Sequence, residues 1–304
     1  MSGTREIEIS IVDAFTDRPL AGNAAGVVPD ANGLSEEAMA AIAAEVNASE
    51  TAFFFDSEAA DRRVRYFTPT TEIDLCGHAT IASHLRLLES GDIEPGTHSL
   101  ETNVGALDIE VEENGLAWFS GERATVRSVD LAYDPVASAL GADPATMADI
   151  GADLPLAVAS IGLPFLIVPM NFLEAVSGLD PDPDAIAELS ENVDVAGVYA
   201  FTFDTLETDS TIHGRMFAPA AGVDEDPVTG TASGAAGAYL REFDAFDGEF
   251  PDEIVLEQGH FIDRPGHVFV RARTDPISVG GRAVTSISGT IAVPDFDEDD
   301  IIEV

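Results

Sequence analysis

The sequence predicts two similar domains of mixed helices and strands that face each other across a cleft. Three observations support this prediction. A five-residue segment recurs 150 positions later, a glycine turn before an alanine-rich stretch recurs in the same order, and an aromatic run precedes each copy. The chain has 304 residues, of which 45% are hydrophobic. It is therefore long and apolar enough to form two such cores.

The recurring segment is Arg-Tyr-Phe-Thr-Pro at 65–69 and Arg-Met-Phe-Ala-Pro at 215–219. The register continues to Asp74 and Asp224, after which the second copy carries three additional residues. Gly77 and Gly230 then each open an alanine-rich stretch. Each stretch is predicted to be a helix that begins after a tight turn.

The segments before each copy also match. The aromatic runs at 50–55 and 198–203 are predicted strands. An amphipathic helix is predicted over 35–46, with Ser35 as its N-cap, and a second helix from Pro183 to about residue 191. The apolar stretch 154–170 is interrupted by three prolines and is too short to span a membrane, so we predict two buried strands around a turn.

The domain boundary is predicted near Gly121. This gives one domain over residues 1–121 and another over 122–304, with the last strand a candidate for return to the first domain. The acidic tail at 295–303 is expected to be solvated and to have no function.

The charge excludes several functions. All 14 basic residues are Arg, against 56 acidic residues, so the formal net charge is −42. Without Lys, neither a phosphate-binding loop of the Gly-Lys-Ser/Thr type nor a Schiff base can form. Nucleic acids and anionic membranes are disfavoured partners, because both are bound through positive charge.

The single cysteine, Cys76, excludes an internal disulfide and a multi-cysteine zinc site.

The N-terminal segment lacks the features of a signal peptide, and we predict a cytoplasmic protein from a salt-rich cell.

Dilution of salt is expected to lower both the activity and the folded fraction of the protein. The Debye length rises from about 3 Å at 1 M to about 8 Å at physiological ionic strength, so surface repulsion is then less screened. Circular dichroism and activity across a KCl dilution series measure this effect. Full stability in dilute buffer would contradict it.

The two glycine turns are the candidate binding site. Free backbone N–H groups at a helix N-terminus bind anions, and two helix ends directed into one cleft could hold a small carboxylate. The amides of Gly77, His78, Gly230 and Thr231 are the candidate donors. Asp226 lies in the insertion beside the second turn, and the imidazole of His78 can exchange a proton near neutral pH.

Glu45 and Cys76 are the remaining candidates for proton transfer. Glu45 is near the C-terminal end of the first predicted helix, where the helix dipole disfavours negative charge, so it suits a group that takes up and returns a proton. Thr229 occupies the position in the second half that corresponds to Cys76. A mechanism with one thiol per domain is therefore excluded, and we interpret Cys76 as structural.

The combination of motifs resembles the PhzF family of phenazine-biosynthesis-like isomerases. The motifs are Asp-Ala-Phe-Thr at 13–16, Gly-Asn at 22–23, Ala-Glu-Val-Asn-Ala-Ser-Glu-Thr at 44–51, Arg-Tyr-Phe-Thr-Pro at 65–69, Asp-Leu-Cys-Gly-His-Ala-Thr at 74–80, Glu-Asp-Pro-Val-Thr-Gly-Thr-Ala at 225–232, Gln-Gly at 258–259, Arg-Pro-Gly at 264–266 and Val-Gly-Gly at 279–281. The resemblance covers nearly the whole chain.

The resemblance implies a diaminopimelate epimerase-like α+β fold. This fold has two pseudo-twofold-related domains, each a barrel-like sheet around a central helix. The resemblance further implies a homodimer that uses no metal or organic cofactor. It implies that Glu45 transfers the proton, that His78 and Asp226 are its polar partners, and that Gly77, Gly230 and Thr231 hold substrate.

The expected function is therefore a cofactor-independent isomerase that moves a proton within a small carboxylate-bearing substrate. Two alternatives stay open from the sequence. One is a one-base epimerase or a dehydratase of a hydroxy acid in the same cleft. The other is a catalytically idle protein that binds a carboxylate.

Overall fold

The computed structural model describes residues 4–148, 150, 154–246 and 248–294. Within these residues no helix is long and apolar enough to cross a membrane. The strands are β1 (Thr4–Ala14), β2 (Asn23–Val28), β3 (Glu50–Phe55), β4 (Arg62–Phe67), β5 (Glu72–Ile73), β6 (Gly96–Thr102), β7 (Gly105–Val111), β8 (Ala117–Ser120), β9 (Thr125–Ser128), β10 (Ala157–Ser160), β11 (Pro164–Pro169), β12 (Gly197–Thr202), β13 (Ile212–Ala218), β14 (Val223–Asp226), β15 (Ile254–Gln258), β16 (Gly266–Arg271), β17 (Ser278–Gly281) and β18 (Ala283–Pro294). The α-helices are α1 (Glu36–Val46), α2 (Gly77–Ser90), α3 (Tyr133–Leu140), α4 (Leu173–Ser177), α5 (Pro183–Val193) and α6 (Gly230–Glu242). Short 3₁₀ turns lie at Pro144–Met147, Pro219–Ala221 and His260–Ile262.

The described residues divide into two compact units. The first unit contains residues 4–20, 24–119 and 282–294, and the second contains residues 21–23 and the described part of 120–281. The division of the chain into domains 1–121 and 122–304 stays a prediction. The acidic tail at 295–303 lies outside the described residues.

The first unit is a sheet of nine strands in its described part. β18 pairs antiparallel with β1, β1 also pairs with β2, and β2 runs parallel to β3. β4 is antiparallel to β3 and parallel to β6, and the short β5 forms a hairpin on β4. β7 and β8 then continue the sheet in antiparallel order.

The second unit repeats this plan strand by strand. β9 and β10 are antiparallel, as β18 and β1 are, and β11 runs parallel to β12. β13 is antiparallel to β12 and parallel to β15, with β14 as its hairpin, and β16 and β17 follow antiparallel. The repeated motif therefore marks a repeated topology, as the sequence predicts.

A central helix lies against the sheet of each unit. α2 contacts β1, β3, β7 and β18, and α6 contacts β9, β10, β11, β16 and β17. These strands come from both ends of each sheet, so each sheet wraps around its helix. Both helices are rich in small residues, which lets the strands approach closely. A methyl group at Gly234 in α6, for example, would lie 2.3 Å from Ile161 Cδ1. The predicted fold class is confirmed: an α+β chain of two similar units, each a barrel-like sheet around a helix.

The two other predicted helices are α1 and α5, whereas α3 and α4 were not predicted from the sequence. Ser35 caps α1, and its Oγ accepts a hydrogen bond from the N–H of Ala38 at 3.2 Å. α5 begins at Pro183, with Asp182 as its cap, and ends at Val193. α1 packs with Met39, Ile42 and other apolar side chains against the core of the first unit. The two strands predicted within 154–170 are β10 and β11.

The duplicated Arg-x-Phe segments also make equivalent contacts. The guanidinium of Arg65 lies 5.2 Å from the ring centre of Phe67, and that of Arg215 lies 5.1 Å from the ring centre of Phe217. Each Arg donates two hydrogen bonds to one glutamate, Glu72 in the first unit and Glu225 in the second. The motif therefore fixes the position of the hairpin strand that leads into each central helix.

Candidate active site

His78 is the second residue of α2 and lies in a shell of three polar side chains. Its Nε2 is 3.2 Å from Ser49 Oγ and 3.2 Å from Glu50 Oε2. Its Nδ1 is 3.4 Å from the Sγ of Cys76, the N-cap residue of α2. The start of β3 and the start of α2 therefore meet at this ring.

The hydrogen bonds around His78 indicate which ring nitrogen carries the proton. Ser49 Oγ donates to the carbonyl of Ala24 at 3.1 Å, so its oxygen is left to accept from Nε2–H of His78. The neutral ring then carries its lone pair on Nδ1, towards the Cys76 thiol. His78 can therefore donate a hydrogen bond through Nε2 and accept one through Nδ1.

Cys76 takes part in this arrangement, although we interpreted it from the sequence as structural. It is mostly buried, and its thiol faces the ring. Glu50, Cys76 and His78 each offer a ligand atom within 4.8 Å of the others, so this cluster is close enough to hold a metal ion. A thiol, an imidazole and a carboxylate are also the groups that zinc accepts. The hydrogen bonds of the ring provide an alternative explanation for the clustering.

Glu45 lies in the last turn of α1, in the same unit as His78. Its side chain is exposed. In the described part of the chain, no hydrogen bond or ion pair engages its carboxylate. α1 ends at Val46, and its C-cap Asn47 has a left-handed backbone with φ of 53°. The chain then turns and places Ser49 and Glu50 beside His78. The segment that follows α1 therefore contacts the start of α2.

Asp226 ends β14 in the second unit, and both of its carboxylate oxygens are engaged. Nδ2 of Asn23 donates to Oδ1 at 3.0 Å and to the carbonyl of Val228 at 2.9 Å. The hydroxyl of Thr229 donates to Oδ2. Gln258 Nε2 donates to the backbone carbonyl of Asp226 at 2.8 Å, and Gln258 Oε1 accepts from Thr229 N. The inserted loop is thus a fixed structure that presents one carboxylate.

Gly77 and Gly230 are the first residues of the two central helices, and Thr231 is the second residue of α6. The first backbone bonds of these helices run from Thr80 N to Cys76 O and from Ser233 N to Thr229 O. Helix geometry leaves the preceding N–H groups without an intrahelical acceptor, which suits an anion. A Cβ at Gly77 would lie 2.8 Å from Cζ of Phe119, so the Phe119 ring would have to move to admit a side chain there.

The predicted residues therefore fall into two groups, one in each unit. Glu45, Gly77 and His78 belong to the first unit, and Asp226, Gly230 and Thr231 belong to the second. The equivalence of Cys76 and Thr229 is confirmed, because each is the N-cap of its central helix. Reasoning from the sequence assigns no role to the residues that hold His78 and Asp226. These residues are Ser49 and Glu50 around His78, and Asn23, Thr229 and Gln258 around Asp226.

Comparison with known proteins gives one consistent result. The sequence model described as phenazine biosynthesis-like protein, PhzC-PhzF, matches residues 12–289. The chain is 38% identical to the uncharacterized isomerase YfhB of Bacillus subtilis, over 94% of this chain and 96% of that protein. It is 31% identical to the trans-2,3-dihydro-3-hydroxyanthranilate isomerase of Pseudomonas chlororaphis, over 93% of this chain and 98% of that protein.

A solved structure agrees with these sequence relatives. The PhzF family protein of Bacillus anthracis superposes with a TM-score of 0.86 at 34% identity, over 94% of this chain and 99% of that chain. The repeated topology thus belongs to a fold that is already known for the PhzF family. The chain belongs to the PhzF family of phenazine biosynthesis-like isomerases.

Proposed function

We propose that this enzyme is a cofactor-independent isomerase that moves a proton within a small carboxylate-bearing substrate, with Glu45 as the acid and base. One observation carries the proposal. Each unit contains a central helix, and beside the N-terminus of that helix lies a side chain that can exchange a proton and is held by hydrogen bonds. This side chain is His78 in one unit and Asp226 in the other. The cleft that the sequence predicts between the two domains is part of this proposal.

The proposed reaction conserves every atom of the substrate. The Glu45 carboxylate takes a proton from the carbon next to a conjugated carboxylate, so a C–H bond breaks and its electron pair enters the conjugated system. The double bond shifts, and the Glu45 carboxyl, whose proton exchanges with water, returns a proton to a second carbon to form a new C–H bond. A group that acts first as base and then as acid suits this sequence.

The other residues bind and orient. The N–H groups of Gly77, Gly230 and Thr231 favour the substrate carboxylate, since helix N-termini attract anions. His78 and Asp226 hydrogen-bond the polar substituents of the substrate while the charge is delocalised. The relative named for isomerisation of trans-2,3-dihydro-3-hydroxyanthranilate supports a small carboxylate as the substrate class.

The state of the enzyme in the cell belongs to the same proposal. We place it in the cytoplasm of a salt-rich cell, as a homodimer. The dimer rests on the family resemblance, and the mass measured by light scattering in concentrated KCl tests it. A mass of one chain would contradict the dimer without affecting the proposed chemistry.

The reaction is tested by running it in D₂O with trans-2,3-dihydro-3-hydroxyanthranilate as the first probe, in concentrated KCl. We expect deuterium in the product, seen by mass spectrometry, because the proton held by Glu45 exchanges with solvent. In H₂O the product should have the same mass as the substrate. A product lighter by one water indicates a dehydratase instead. Turnover without deuterium in either product or recovered substrate contradicts the proposal.

A further inference from the structure

We propose that Thr229 and Gln258 are positioning residues for Asp226, and that Gln258 directs the proton of the Thr229 hydroxyl at the Asp226 carboxylate. The role of these residues rests on the proposed function, in which Asp226 binds a polar substituent of the substrate. Thr229 and Gln258 act on the reaction only through Asp226. All three residues belong to the second unit.

The hydroxyl of Thr229 does not make the contact that its position favours. Thr229 is the N-cap residue of α6, and an N-cap threonine usually accepts a hydrogen bond from a backbone N–H in the first turn of its helix. Its side chain makes no such bond to the described residues of this turn. The hydroxyl donates to Oδ2 of Asp226 instead. Thr229 therefore forgoes a stabilising cap and uses its hydroxyl on a candidate substrate-binding side chain.

The amide of Gln258 can have only one orientation. Gln258 is the last residue of β15 and is only 1% exposed. Its Oε1 accepts from the backbone N–H of Thr229 at 3.3 Å, and its Nε2 donates to the backbone carbonyl of Asp226 at 2.8 Å. The opposite orientation would place the amide nitrogen against an N–H and the amide oxygen against a carbonyl. Two backbone groups therefore fix which end of the amide carries the hydrogens.

This orientation determines the direction of the Thr229 hydroxyl proton. Nε2 of Gln258 has two hydrogens, and its second acceptor is Oγ1 of Thr229 at 3.3 Å. A hydroxyl has a single proton, so an oxygen that accepts from Gln258 directs that proton at its other partner, Oδ2 of Asp226. Rotation of the hydroxyl towards Gln258 would bring two donors together. Gln258 therefore acts on the Asp226 carboxylate through Thr229.

The other carboxylate oxygen is fixed in the same way. Nδ2 of Asn23 has two hydrogens, and it donates them to Oδ1 of Asp226 and to the backbone carbonyl of Val228. Asn23 is only 3% exposed. The carboxylate therefore accepts from a fixed donor on each oxygen, and rotation about its Cβ–Cγ bond would break these hydrogen bonds. As an acceptor in a fixed plane, it suits a hydrogen-bond donor of the substrate.

A glycine lets the end of β15 reach the loop that carries Asp226. Gly259 follows Gln258 and has a left-handed backbone with φ of 82°. A Cβ at this position would lie 2.6 Å from the backbone oxygen of Pro227. The close approach of these backbones brings Gln258 within reach of both Asp226 and Thr229. The support of the carboxylate thus comes from β15, 32 residues further along the chain.

The test compares kcat/KM of full-length variants with trans-2,3-dihydro-3-hydroxyanthranilate in concentrated KCl. Thr229→Val keeps the shape of the side chain but removes the hydroxyl, and we expect kcat/KM to fall about 10- to 100-fold, the usual effect of a lost hydrogen bond to a carboxylate. Gln258→Met should lower kcat/KM at least as much. Thr229→Ser, which keeps the hydroxyl, should retain most of the wild-type value. Thr274→Val, at an exposed threonine of the second unit, is the matched control and should behave like the wild type.

A double-mutant cycle separates positioning from a purely structural role. Because Thr229 acts through Asp226, Thr229→Val should lower kcat/KM by at most about twofold when Asp226→Asn is already present. A structural loss would instead be equal with and without Asp226→Asn. If Thr229→Val does not fold, as judged by near-ultraviolet circular dichroism, Thr229→Ala takes its place in the cycle.

Neutron diffraction from a deuterium-exchanged crystal of the wild type measures the direction of the hydroxyl proton without turnover. We expect deuterium on Oγ1 of Thr229, directed at Oδ2 of Asp226. A wild type that does not turn over the probe counts against the proposed function, and the neutron map alone then decides whether Gln258 orients Thr229. Deuterium directed at Gln258, wild-type kcat/KM in Thr229→Val or Gln258→Met, no recovery in Thr229→Ser, or equal losses with and without Asp226→Asn would each overturn the proposal.

Discussion

Replacement of Glu45 by Gln is expected to lower kcat by about 10²- to 10⁴-fold, the usual contribution of a positioned acid or base. Gln has nearly the same shape but neither takes up nor returns a proton. KM should change little, because the proposed carboxylate contacts come from helix N-termini and not from Glu45. Steady-state kinetics of wild type and Glu45→Gln in the same concentrated KCl measure both constants.

Glu37→Gln is the matched control for this experiment. Glu37 is exposed in the first turn of the same helix, so its replacement changes the net charge by the same amount. It should leave kcat unchanged. Deuterium uptake from D₂O should be lost in Glu45→Gln and kept in Glu37→Gln. If Glu45→Gln turns over at the wild-type rate, another residue transfers the proton, and the assignment of Glu45 is wrong.

Replacement of Arg215 by Met is expected to lower the free energy of unfolding by about 3–5 kcal/mol, the usual cost of breaking a buried ion pair from one side. Arg215 is only 7% exposed. Its Nη1 donates to the carbonyls of Val176 and Leu179, and its Nε and Nη2 bind both oxygens of Glu225. Met would leave a mostly buried carboxylate and two carbonyls without these donors. Urea unfolding at constant KCl measures the loss.

The internal repeat provides the control for this prediction. Arg65 makes the equivalent pair with Glu72 and the equivalent contact with Phe67, but it bonds to Glu36 at the surface instead of to backbone carbonyls. Its side chain is also more exposed than that of Arg215. Arg65→Met should therefore cost only about 1–2 kcal/mol. Equal losses in the two variants would show that the buried carbonyl contacts of Arg215 add nothing.

Much of the fold can be predicted from the sequence because the chain contains two copies of the same order of strands and helices. The Arg-x-Phe segments and the glycine turns mark equivalent points, so a weak signal in one half is supported by the other. Local chemistry then locates the helix starts, as at Ser35, where a hydroxyl caps the first turn. Each of these signals lies within a few residues of the feature that it predicts.

The contacts around the candidate residues have no such local signal. Ser49 is 29 residues from His78, and Asn23 is 203 residues from Asp226. These pairs meet because of the register between strands and because distant parts of the chain pack together. The spacing of residues in the sequence reveals neither. The grouping of residues 21–23 with the second unit is likewise a property of the three-dimensional contacts.

The pairing of β1 with β18 has a consequence for biosynthesis. The ribosome synthesises every strand of the second unit before β18, so β1 lacks this partner until translation has passed the whole second unit. The eleven residues of β1 then present unpaired N–H and C=O groups along that edge in the nascent chain. The first unit can therefore complete its sheet only after the whole second unit has been translated.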